Sequence, residues 1–117
     1  MRFIPGLCAA ICLLAFAAPA AAQDGLLSTP SLLQGCEGLI ENAPTASDMQ
    51  RGACAGSVAA ALAIGQVQNL VCAPGDGNVV TAARIVVNFI YERSERRAQP
   101  FGPIALAALQ ARWSCGE

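Results

Sequence analysis

The stretch "CAGSVAAALAIGQVQNLVCAPGD", residues Cys54 to Asp76, decides the fold. It places two cysteines at the ends of an alanine-rich apolar run and closes on a turn cluster. Alanine has the highest helix propensity, so the run predicts a helix. Just upstream, Ser47 and Gln50 fit the S-x-x-Q capping box that starts one. If that helix is continuous, Cys54 and Cys72 are separated by about 27 Å. A disulfide needs Cα atoms within about 7 Å. The two cannot pair with each other, so each must reach another element.

The flanking segments predict those elements. Before the quoted stretch, "TPSLLQGCEGLIENAP" starts well as a helix, with Thr29 placed to N-cap and Pro30 in the first helical position. Leu32, Leu33, Cys36, Leu39 and Ile40 fall on one face, and Asn42 and Pro44 end it. After the quoted stretch, "APGDGN" is a turn, from which Asp76 or Asn78 caps a third helix, "VVTAARIVVNFIYERSERR". Thr81, Arg84, Asn88 and Glu92 form its single polar stripe, so the rest of that helix belongs in a core. "AQPFGP" breaks the chain again, and "IALAALQARW" is a shorter fourth helix, with Gly116 just past its end. Gly52, Gly56 and Gly65 weaken the second helix by roughly 1 kcal/mol each where exposed, and read as sites of close helix packing.

Folding the first two helices back about Pro44 and Thr45 brings Cys36 and Cys54 to the same height. Cys72 lies just before the third helix and Cys115 just after the fourth, which an antiparallel pair puts at one end. Of the three possible pairings, geometry therefore favours Cys36–Cys54 and Cys72–Cys115. A zinc site would show C-x₂₋₄-C spacing, and the four cysteines of residues 23–117 show none. The fold expected is all-α: a compact four-helix domain stapled by two disulfides.

The chain's start sets its compartment. One charge at Arg2, an apolar run from Leu7 to Ala18 and the small-residue site ending at Ala22 form the layout of a secretory signal peptide. The run is about twelve residues, short of the ~18–20 that span a membrane. Cys8 and Cys12 fall inside it without a lipobox. Residues 1–22 are thus expected to be a cleaved signal peptide and residues 23–117 one exported domain. Its four remaining cysteines suit disulfides, since a core this small needs staples.

Composition excludes several functions. The chain has no histidine and no lysine. Imidazole metal ligands and histidine acid–base catalysis are absent with them. Six arginines against eight acidic residues in residues 23–117 leave no basic stripe for nucleic acid. Glu37 and Glu41, at i and i+4, read as a solvated helix face rather than a catalytic pair. Ser57, Ser94 and Ser114 have no base to activate them. No catalytic residue, metal or cofactor is expected, and the chain is not expected to be an enzyme.

With its cysteines on this helix order, the chain resembles the small periplasmic immunity proteins of the Rap/Tai type. The resemblance lies in "CAGSVAAALAIG", "CAPGDG", "IVVNFIY" and "LAALQARWSC", and covers most of Ser31 to Cys115. Ser57, where members often carry an aromatic residue, and Ser114, where they often carry proline, depart from the pattern. The resemblance implies an all-helical, disulfide-bonded periplasmic protein. It also implies an immunity protein that occludes a type VI secreted peptidoglycan amidase. The alternative is a generic helical periplasmic protein with a structural or stress role.

A protein partner is expected to be held by loops. The "APGDGN" turn offers Asp76 and Asn78, tethered by Cys72. The segment "ERSERRAQPFGP" offers Arg93, Arg96, Arg97 and Phe101, the residue types that anchor interfaces. A homodimer stays open, and no membrane contact is expected after leader cleavage.

Overall fold

Ser28, rather than Thr29, starts the first helix. In the computed structural model, which describes residues 25–116, its hydroxyl accepts from the Ser31 N–H at 3.3 Å and opens helix α1, Thr29–Glu41. Thr29 instead turns inward, buried, and its hydroxyl donates to the Gln99 carbonyl. Asn42 closes α1 in the left-handed conformation, with φ 52°. Asparagine tolerates that region better than most residues. The expected leader and its expected cleavage site at Ala22 lie outside the described residues.

Helix α2, Asp48–Val67, begins at the expected capping box. The Gln50 N–H donates to the Ser47 hydroxyl, and the Ser47 N–H to the Gln50 side-chain oxygen. Arg51 clamps the α1–α2 connection by donating to the carbonyls of Ala43 and Ala46 at 3.0 and 2.9 Å. The helix ends at Val67, five residues before Cys72, and Asn69 then turns the chain with φ 58°. Cys54 and Cys72 therefore do not share one continuous helix, although the conclusion that they do not pair holds.

Helix α3, Val79–Glu92, is capped by Asn78 and ends at Arg93. A 3₁₀ helix over Ser94–Ala98, which the sequence reading did not separate from α3, carries the arginine cluster. Helix α4, Phe101–Arg112, starts three residues earlier than expected, because Phe101, Gly102 and Pro103 already follow the helical path after the extended Pro100. Proline suits that first turn, where backbone N–H groups have no helical acceptor. Among the described residues there is no strand beyond an isolated bridge between Val71 and Ser114.

The four helices surround one core, with Val58, Val86, Ile90, Ile104 and Leu109 fully buried. The most extensive packing is between α1 and α2. Gly35 permits it, because a methyl there would collide with the Gln50 carbonyl. The expectation of close packing holds for Gly65, which faces Val71 and Leu106, and fails for Gly52 and Gly56, which face open space. Helix α2 buries only a narrow stripe, Cys54, Val58, Ala61 and Gly65, and leaves Ile64 and Val67 outward.

Both expected disulfides are present. Cys36–Cys54 joins α1 to α2 with a Cα separation of 5.2 Å, and Cys72–Cys115 joins the two ends of the α3–α4 pair at 4.8 Å. The first lies fully inside the core, while Cys72 is exposed.

Candidate functional site

The residues expected to meet a partner fall into two groups at opposite ends of α3. Asn78 caps its N-terminus and Arg93 its C-terminus, so about 21 Å of helix separates them.

The first group sits on the 72–78 turn. The Cys72 N–H donates to the Trp113 carbonyl at 2.7 Å, and the Gly77 N–H to the Pro74 carbonyl at 2.9 Å. With the Cys72–Cys115 bridge, these bonds hold the turn over the buried Trp113 ring. A methyl at Gly77 would press on that ring at 3.2 Å. Asp76 projects from the turn, exposed. Asn78 is exposed too, but its carbonyl oxygen is committed to the Thr81 N–H and hydroxyl at 2.9 and 3.2 Å. Only its amide hydrogens remain to offer a partner.

The second group lies on the 3₁₀ helix and its flanks. Arg93 and Arg96 stack over the Phe89 ring, at 4.1 and 5.4 Å from its centroid, and Arg97 over the Tyr91 ring at 5.2 Å. Cation–π stacking of this kind orders long side chains on the surface. Arg93 also pairs with Glu92 at 3.3 Å, whereas Arg96 and Arg97 have no carboxylate partner among the described residues. The Thr29–Gln99 hydrogen bond ties the same loop to α1.

Phe101 is not a surface anchor. It is 3 % exposed and packs in the core at the start of α4. The sequence reading placed it in a loop, because "PFGP" looks like a chain break. In fact the helix begins at Phe101 itself, with Pro100 at the N-cap position and Pro103 in the first turn, and the ring lies in the core.

Sequence reasoning missed two features. Tyr91 is half exposed, and its hydroxyl donates to the Glu37 carboxylate, joining α3 to α1. That hydrogen bond is the main cause of a tyrosine pKa raised above its usual value of 10.0, with desolvation second. Glu37 thus serves as the acceptor for Tyr91. The other missed feature is a groove of about 1150 Å³ between the start of α1, the outward side of α2 and the start of α4. Its walls include Leu27, Ala60, Ile64, Arg97, Gly102 and Leu106. The exposure of Ile64 and Val67 was hidden in the sequence, where an alanine-rich helix gives no clear inner face.

The arrangement offers two ordered, polar loop ends and one apolar groove, a surface suited to holding another macromolecule. Among the described residues no cluster of acidic residues and cysteines could hold a metal. No helix among them is long and apolar enough to cross a membrane. A family model for Rap1a immunity proteins matches residues 28–115. Neither a curated protein nor a solved structure matches the chain.

Proposed function

The chain belongs to the family of Rap1a immunity proteins, and from that premise we propose that it neutralises a secreted peptidoglycan amidase in the periplasm by occluding it. The family match over residues 28–115, which takes in all four helices, carries this reading. An immunity family implies a protein that binds an effector and inhibits it without catalysis of its own. Two disulfides and a leader with signal-peptide features support export to an oxidising compartment. The amidase as target comes from the resemblance of the "CAPGDG" and "LAALQARWSC" segments to the Rap/Tai proteins.

The proposed contacts are Asp76 and Asn78 on the disulfide-tethered turn, and Arg93, Arg96 and Arg97 on the 3₁₀ loop. Ordering these segments before binding lowers the entropy lost in the complex. Binding through pre-formed loops needs no catalytic pocket.

The test is peptidoglycan cleavage by purified secreted amidases, including any encoded beside this chain's gene, titrated with the oxidised protein. One amidase should lose activity at equimolar inhibitor. Unaltered cleavage by every amidase, together with protection against a different class of effector, would overturn the amidase target. Charge reversal at Arg96 and Arg97, and separately Asp76→Lys with Asn78→Lys, then locates the contacts. Inhibition unmoved by both sets would show that neither loop takes part.

A further inference from the structure

The geometry points to the groove between α1, α2 and α4 as a docking site for an apolar peptide segment of the partner that carries one acidic residue. This inference rests on the proposal that the chain binds a protein effector, and it names the surface.

Size is the first argument. At about 1150 Å³ and open to solvent, the groove exceeds the ~300–1,000 Å³ of ordinary small-molecule sites. It has room for a segment of polypeptide. Apolar exposure is the second. Ile64 on the groove wall is 51 % exposed, Leu27 opposite is 64 % exposed, and Val67 one turn further along α2 is 82 % exposed. Contiguous apolar surface of this kind on a small domain marks an interaction site.

Charge selects the occupant. Among the described residues Arg97 is the one charged residue lining the groove, and no acidic residue among them lines it. Arg97 has no carboxylate partner among the described residues. At the same edge α4 begins without a side-chain cap, because Pro100 has none to offer. The N–H groups of Phe101 and Gly102 make no hydrogen bond to the backbone or side chains described. Gly102 has open space where a side chain would stand, so its backbone is accessible from the groove. A guanidinium and free helix-start amides favour a carboxylate, and the walls beside them favour leucine-like side chains.

The experiment selects a random linear peptide library, displayed on phage, against the protein purified from the periplasm after expression of the full-length gene. Enriched peptides should be apolar with one Asp or Glu. Replacing that acid by its amide should weaken binding about three- to tenfold, the range of one charge-assisted hydrogen bond partly exposed to water. Arg97→Ala should erase the difference between acid and amide. Ala60→Trp, at an exposed wall position, should block all binding, and Gly102→Phe serves as a second filling variant if the first perturbs folding by circular dichroism. No enrichment, a consensus without an acid, or binding that survives both filling variants would overturn the inference. So would a concentration-dependent dimer that Ala60→Trp dissociates, since a second copy would then fill the groove. An amidase inhibited equally by the filled variants would remove the groove while leaving the immunity reading intact. Peptide binding in the groove without inhibition of any effector would do the reverse.

Discussion

Replacing Gly35 by alanine should destabilise the protein, whereas the same change at Gly52 should stabilise it. Both glycines lie inside helices, where alanine is favoured by roughly 1 kcal/mol. Their surroundings differ. The Cβ of an alanine at 52 meets nothing within 4 Å, so the helix gain survives almost whole. At 35 the new methyl runs into the Gln50 carbonyl, which is backbone of α2 and cannot rotate away. The helices must part at a place where Cys36–Cys54, next in sequence, holds them at a Cα separation of 5.2 Å. Overpacking of a tight core costs about 1–3 kcal/mol, and a rigid, cross-linked contact belongs at the upper end. Less the helix gain, Gly35→Ala should lose about 1–2 kcal/mol. For a domain of this size that lowers Tm by about 4–16 °C, while Gly52→Ala raises it by a few degrees. Thermal melts and denaturant titrations of the oxidised proteins measure both. If Gly35→Ala were as stable as Gly52→Ala, the close approach of α1 and α2 would be wrong.

Other expectations follow from burial and hydrogen bonding. Cys72 is exposed and Cys36–Cys54 fully buried, so mild reductant should open Cys72–Cys115 first, as alkylation and peptide mapping would show. Removing Cys72–Cys115 altogether should cost roughly 4 kcal/mol in the chain-entropy model, read by denaturant unfolding of Cys72→Ser with Cys115→Ser. Ile90→Ala empties a fully buried site and should cost about 2–5 kcal/mol by the same measurement. Tyr91 is the single tyrosine, so ultraviolet titration reads it alone; it should ionise above pH 10.0, and Glu37→Gln should bring it back down. Because the folded pKa is the higher one, the stability linked to this group is complete below pH 10.0 and fades as pH rises through the folded value.

The sequence alone determined the helices and their staples. Capping at Ser47 and Asn78, the left-handed stop at Asn42 and the polar stripe of α3 are local matters of hydrogen bonding and periodicity, and they appear where those rules put them. The disulfide pairing was legible because a hairpin of two helices leaves cysteines at equal heights only one way. Tertiary packing decided what local rules do not address. Thr29 abandons the cap because the Gln99 carbonyl, far along the chain, comes within reach of its hydroxyl. Phe101 leaves the surface because α4 begins at this residue and packs it against the core, although "PFGP" reads locally as a chain break. The groove was invisible for the same kind of reason. An alanine-rich helix has small residues on every side, so its periodicity does not say which face is covered. That depends on where α1 and α4 stand, and they cover only the stripe from Cys54 to Gly65, leaving Ala60 and Ile64 to form a wall.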